Sequence, residues 1–182
     1  MSIQVVEHVL FLRHAKTRYN QEKRISGRSM ELPIVETDEI VCDIPIDCVF
    51  CSPAVRCRQT LDLFLKQHSV EWVCFDQNLL ERNMGIMEGE LRCDMVEMYP
   101  HLFQKQKFRL HETPPMGESF RDFHERVVRF WEQVRDTYTG TVLVCAHNQV
   151  LKMLYFVIQG VLPTESEWFE RSFSTGNVEQ IF

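Results

Sequence analysis

Short apolar and β-branched runs recur along the chain at His8–Leu12, Asp47–Cys51, Glu71–Phe75 and Thr141–Cys145, with a last one over Asn177–Phe182. Each is bounded by turn residues and is too short for a stable helix, which predicts buried strands. Helical spacing fills the intervals. In Ser119–Tyr138, the side chains Phe120, Phe123, Val127, Phe130, Val134 and Tyr138 fall at steps of three and four and line one face. Ser119 with Asp122 predicts a capping box at its start, just after Gly117. Ala54–Gln67 repeats the pattern through Val55, Leu61, Phe64 and Leu65, and Asn148–Gln159 ends at Gly160, a natural stop. Strands alternating with helices predict a three-layer α/β/α fold, a mostly parallel sheet with helices on both faces. The expected organisation is a single domain over 1–182. Its polar stretch Arg92–Pro115, rich in Lys, Gln and His, forms a partly helical, lid-like insertion at about 90–117.

Composition narrows the class. Hydrophobic residues at 45% and charged residues at 25% match soluble globular proteins and argue against disorder or coiled coil. Twenty basic against 26 acidic side chains give a net charge of −6, which speaks against nucleic acid or anionic membrane as partners of the overall field. No apolar stretch approaches the roughly 18 residues of a membrane span. Seven cysteines without regular spacing, a polar Met1–Gln4 and an apolar Val9–Leu12 too short for a signal peptide point to reduced thiols in a cytoplasm. Cys48 and Cys51 lie three apart on a strand and so face opposite ways. His8, His68, His101, His111 and His124 lack ligand spacing, and His8 reads as a core or edge residue. No metal is expected.

In open α/β sheets ligands bind where strands end and helices begin. The first strand ends in Arg13-His14-Ala15-Lys16-Thr17, where a guanidinium, an imidazole and a hydroxyl can face one spot. The second ends in Ser52-Pro53-Ala54-Val55-Arg56 and the fourth in Ala146-His147-Asn148. Two His and two Arg delivered by strand ends make a cationic cluster suited to phosphate, since Arg binds its oxygens at two points and helix N-termini add N–H donors. Taken singly, each of these residues also has an ordinary structural reading. Arg58 is expected to face solvent or pair with an acid, Glu81 and Arg82 to form a surface ion pair, and Glu118 and Ser119 to cap a helix and do nothing else.

The order of motifs adds to this. Arg13-His14-Ala15-Lys16-Thr17 with Asn20, then Ser52 to Thr60, Leu80-Glu81 with Gly85 and Glu88-Gly89, Gly117-Glu118-Ser119 and finally His147 resembles the histidine phosphatase superfamily, the phosphoglycerate mutase-like group. Glu88-Gly89, Tyr99-Pro100 and Pro115 to Ser119 are similar to its small-phosphatase branch, which includes α-ribazole phosphatase and fructose-2,6-bisphosphatase-like enzymes. The resemblance implies that His14 is the nucleophile, that Arg13, Arg56 and His147 surround the phosphoryl oxygens, and that Glu81 is the acid. It places Thr17, Asn20, Ser26, Gly27, Arg82 and Asn148 on the substrate side. It implies phosphohistidine chemistry on a small phosphorylated metabolite without cofactor, and it is compatible with a homodimer. Mutases of the group have a longer enclosing insertion, so hydrolysis is expected over transfer. A mutase or an inactive binding relative are the alternatives.

Three departures stand out. Ala15 and Asn148 replace the group's usual glycines: Ala15 keeps the turn if its φ is negative, while Asn148 tolerates the left-handed region and can cap the next helix. Only about 14 residues separate Pro33 from Asp47, too few for a full crossover helix with its turns. That helix is expected to be short or absent, leaving one sheet face exposed or covered by a partner. The residues that choose the leaving group are expected within Arg92–Met116.

Overall fold

The computed structural model describes residues 6–35 and 37–182. Along the chain run β1 (Val6–Arg13), α1 (Arg18–Gln21), β2 (Cys48–Cys51), α2 (Val55–Leu65), β3 (Trp72–Phe75), α3 (Arg92–Met98), β4 (Phe103–Gln104), β5 (Lys107–Phe108), α4 (Phe120–Thr137), β6 (Gly140–Ala146), α5 (Asn148–Ile158), α6 (Glu165–Glu170) and β7 (Val178–Gln180). The main sheet has the order β3-β2-β6-β1-β7. All pairs are parallel except β7, which closes the β1 edge antiparallel. This is the expected fold class. β1 outlasts its apolar run because pairing to β6 continues to Arg13 opposite Ala146, and that extra length carries Arg13 and His14 to the sheet's end.

Strand alternation splits the core in two. Val9, Phe11, Cys48, Phe50, Val142 and Val144 face α4 and α5. Leu10, Leu12, Val49, Cys51, Leu143 and Cys145 face α2. Cys48 and Cys51 thus point to opposite faces, as their spacing requires. The α4 stripe buries Phe123, Val127, Phe130 and Val134 as predicted, together with Trp131 and Arg126. His8 stands exposed at the β1 edge beside the Phe182 carbonyl.

Several expectations need correction. No helix occurs between Pro33 and Asp47 among the described residues, yet the sheet face there is not bare. An extended segment lies across it. Ile34 bridges to Thr17, and Ile40 and Ile46 are buried with Leu61 and Phe64 of α2. The capping box of α4 is half formed. Ser119 Oγ accepts from Asp122 N, but the Asp122 carboxylate takes the Ser119 hydroxyl proton instead of reaching the Ser119 N–H. A full box uses the longer Glu or Gln. The same rule shows why α6, which the periodicity does not predict, exists: Thr164 and Glu167 satisfy each other's backbone N–H groups.

The insertion combines α3, a 3-10 turn over Pro100–Leu102 and the β4–β5 hairpin around its own apolar cluster of Met84, Met87, Met95, Leu102, Phe103 and Phe108. Gly85 lets it return. With φ at +56° and the Pro115 carbonyl pressed against its Cα, no Cβ fits there.

Candidate active site

Two imidazoles meet at the C-terminal end of the sheet. His14 follows β1, its N–H bonded to the Ala146 carbonyl at 3.0 Å, and His147 ends β6 as the N-cap of α5. Their rings stand edge to face with centroids 5.2 Å apart. His14 Nδ1 lies 2.7 Å from the Ala15 carbonyl oxygen. A carbonyl only accepts, so Nδ1 carries the proton and Nε2 keeps a bare lone pair. Ala15 holds this turn with a negative φ, and its N–H donates to Thr60 Oγ1 of α2 at 2.9 Å. His147 has the opposite tautomer. Arg56 Nε donates to its Nδ1 at 3.1 Å, so Nε2–H donates to Ser52 Oγ at 2.8 Å.

Arg56, in the first turn of α2, is 1% exposed, and its other donors reach the Gly27 carbonyl at 2.8 Å and the Ser29 carbonyl. Gly27 (φ +45°) brings that carbonyl in, and a Cβ there would strike the Glu88 carboxylate. Arg13 gives Nη1 to the Phe173 carbonyl at 2.7 Å, while its buried Nε has no partner among the described residues. Burial, with the Arg56 charge next, holds both imidazoles well below their ordinary value of 6.5, hence neutral at pH 7.

These buried neutral rings set a sign for stability against pH. Below 6.5 the unfolded chain binds protons that the folded chain refuses, so stability is full above that value and falls as pH drops through it. The expected slope is up to about 1.4 kcal/mol per pH unit for each imidazole. Urea midpoints at about pH 7.5 and about pH 5.5 measure it, and His14→Asn is expected to flatten the dependence. Equal midpoints in the unsubstituted protein would contradict the assignment.

Glu81 is 7% exposed and forms no ion pair with Arg82. Its Oε1 accepts from Arg82 N at 3.0 Å and Val150 N at 3.1 Å, and its Oε2 accepts from Gln149 N at 3.1 Å. The N–H groups of Gln149 and Val150 in the first turn of α5 are therefore held by Glu81 and not left for an anion. Its charge reaches both Arg13 and Arg56, where it counters the lowering effect of burial on each guanidinium. Arg82 is turned away. Its guanidinium donates to the carbonyls of Leu110, Glu112 and Glu118 over the rings of Phe108 and Phe123. Burial pushes it down to about 10. It ties the insertion to the sheet and does not join the cluster.

The remaining expected residues divide. Thr17 and Asn20 form a capping box with each other at the start of α1. Ser26 contributes its carbonyl to the turn that holds Gly27, accepting from Ser29 N at 3.0 Å. Asn148 is not left-handed and does not cap α5, a role His147 has; its Oδ1 accepts from Phe173 N at 3.1 Å, next to the carbonyl that holds Arg13. Arg58 is exposed, stacked 4.6 Å from the Phe75 centroid.

Glu118 does far more than precede a cap. It accepts from Arg126 at 2.7 and 3.0 Å, from Arg28 at 3.0 Å and from Asn83 N at 3.2 Å. Arg28 and Arg126 also hold the Glu81 carbonyl, at 3.2 and 3.3 Å. Ser52 and Arg126 were absent from the expected site. Ser52 stood in the motif before Arg56, and Arg126 was the one charge on the apolar stripe of α4.

A family model described as the histidine phosphatase superfamily (branch 1) matches residues 9–178. A bifunctional protein of Mycobacterium tuberculosis is 31% identical over 155 residues, which cover 80% of this chain and 42% of that protein, so the chain spans less than half of this relative's length. A 2,3-bisphosphoglycerate-dependent phosphoglycerate mutase of Methanosarcina mazei is 23% identical over 217 residues, 96% of this chain and 89% of its own. Among solved structures, the alpha-ribazole phosphatase from Shigella flexneri superposes with a TM-score of 0.73 at 22% identity, covering 95% of this chain and 89% of that one. With His14, Arg56 and His147 brought together at one sheet end and a family model running almost its full length, the chain belongs to the histidine phosphatase superfamily, branch 1.

Proposed function

We propose that this protein is a metal-independent phosphatase that hydrolyses small phosphomonoesters through a phosphohistidine. The observation that carries the proposal is the state of His14: buried, neutral, with Nδ1–H fixed on the Ala15 carbonyl and Nε2 bare. A nucleophilic imidazole must be unprotonated at the attacking nitrogen and rigidly aimed, and a strand end supplies the aim. Nε2 attacks phosphorus, the P–O bond to the leaving group breaks, and the departing alkoxide takes a proton that Glu81 has accepted from the bound phosphomonoester monoanion. A water then gives a proton to Glu81 as its oxygen attacks phosphorus, and the P–N bond breaks to release phosphate and free His14.

The unpartnered Nε–H of Arg13 is the donor that a phosphoryl oxygen would satisfy, and Arg56 adds positive charge. Such preorganised electrostatics is usually the largest contribution to phosphoryl transfer. The short insertion over 90–117 favours water as the acceptor. Incubation with a phosphorus-labelled aryl phosphate and chelator is expected to trap a phosphoenzyme that is acid-labile and base-stable, with turnover undiminished. Loss of turnover on chelation, or a trapped species stable to acid, would refute the proposal. Transfer between hydroxyls exceeding phosphate release would make the protein a mutase.

Glu81→Gln is expected to lower kcat by about 10²–10⁴-fold, with a smaller loss for aryl leaving groups that depart without a proton. An unchanged kcat on alkyl phosphates would remove Glu81 from the acid role.

A further inference from the structure

The two guanidinium groups of the centre are held very differently. Arg56 donates to His147, Gly27 and Ser29. Arg13 has a single side-chain partner among the described residues, the Phe173 carbonyl at 2.7 Å from Nη1. Where its unpartnered Nε–H points therefore depends on where that carbonyl stands.

No regular element places the carbonyl. Residues 171–174, between α6 and β7, belong to no helix or strand. The Phe173 ring is anchored in the core, 3% exposed, edge-on to Phe11 at 5.3 Å and under the Arg171 guanidinium at 4.4 Å. A ring anchor does not by itself fix the direction of the backbone carbonyl. That is settled from α5: the Phe173 N–H donates to Asn148 Oδ1 at 3.1 Å, and the Ser172 hydroxyl donates to the same atom at 3.3 Å. A backbone N–H only donates, so the atom facing it is the carboxamide oxygen. Beyond Phe173 the segment is fastened to Arg13 itself, through Gly176 N on the Arg13 carbonyl at 2.8 Å. Among the described residues, Asn148 and Arg13 are the only hydrogen-bond partners of residues 172–174 outside the segment. The resemblance leads one to expect glycine at 148, which has no acceptor to offer there.

We propose that Asn148 is a positioning residue for Arg13. Its side-chain oxygen holds the Ser172–Phe173 backbone so that the Phe173 carbonyl steadies Nη1 and leaves Nε–H aimed at a phosphoryl oxygen. Asn148 thus works from behind the arginine, a role different from the substrate contact that the resemblance implies. The inference rests on the phosphatase reading for what Arg13 binds.

Inorganic phosphate is the probe, titrated against the protein and followed by its phosphorus resonance. Asn148→Leu removes the acceptor. It is expected to weaken phosphate about 10-fold and to lower kcat/KM about 10- to 100-fold, the scale of a small misplacement of a reacting group. Asn148→Asp restores the acceptor and adds a negative charge that disfavours phosphate, so an affinity within about threefold of the unsubstituted protein can come only from the hydrogen bonds. In Arg13→Gln protein, adding Asn148→Leu is expected to change phosphate affinity by less than about twofold, because two residues acting through one group are not additive. Thermal unfolding checks that each protein is folded, and Asn148→Gly, the residue usual in the group, carries the same expectations should the leucine variant fail that check.

Unchanged affinity in the leucine or glycine variant, an aspartate variant no better than leucine, losses that multiply in the double substitution, or no phosphate binding by the unsubstituted protein would overturn the positioning role. The expected pattern of phosphate affinities in a protein that turns over no ester would leave that role standing and refute the phosphatase. Turnover that Asn148→Leu does not alter would do the reverse.

Discussion

His14→Ala is expected to reduce phosphomonoester hydrolysis by roughly 10⁴–10⁶-fold and to leave no trappable phosphoenzyme, the scale seen when a nucleophile is removed from a unit that works together. The size follows from the geometry. The other imidazole and its neighbour are already committed to protein partners: Arg56 to His147, Gly27 and Ser29, and His147 to Arg56 and Ser52. Glu81 is held by three backbone N–H groups. His147 cannot substitute as nucleophile, because Ser52 occupies Nε2 and Arg56 occupies Nδ1. Fold integrity should survive, since the ring's one hydrogen bond is to its neighbour's carbonyl. The measurement is single-turnover labelling and steady-state release of phosphate, with circular dichroism as control. Residual activity within about tenfold of wild type would mean that phosphohistidine at residue 14 is not on the pathway.

Glu118→Ala is expected to destabilise the protein by about 3–5 kcal/mol, the range for removing one partner of a buried ion pair. The Glu118 and Arg126 side chains are 9% and 7% exposed, so Arg126 would stay in the interior without its counter-charge. Arg28 and the Asn83 N–H would lose partners in the same step. For a domain of this size the thermal midpoint falls by about 2–4 °C per kcal/mol. Activity should decline with stability, because the two arginines released from Glu118 also suspend the Glu81 backbone. A double substitution, Glu118→Leu with Arg126→Met, should recover much of the stability without restoring kcat. A loss below about 1 kcal/mol, typical of exposed pairs, would show that the network carries no such strain.

The centre was legible because its members arrive by local rules. His14, Arg56 and His147 each follow a strand, and a strand's end can be read from where an apolar run stops. Glu81 needed the motif order, since its surroundings come from the start of α5, far along the chain. Glu118 was misread for the same reason: its partners Arg28 and Arg126 sit on different elements, and spacing cannot join them. The mostly parallel sheet followed from the alternation of strands with helices, whereas α6, with fewer than two turns, offers no periodicity to read.

The extended cover between Pro33 and Asp47 differs in kind from the helices that flank the sheet elsewhere. A helix carries its own hydrogen-bond ladder, whereas this segment is fastened by the Ile34 bridge, the Val35 N–H on the Lys16 carbonyl and the buried side chains Ile40 and Ile46. Among its described residues, order comes from bonds and packing to other elements and not from a ladder of its own. In hydrogen exchange its amides are therefore expected at the low end of the chain's range of opening energies. It is fastened to Lys16, two residues beyond His14, by the Val35 N–H.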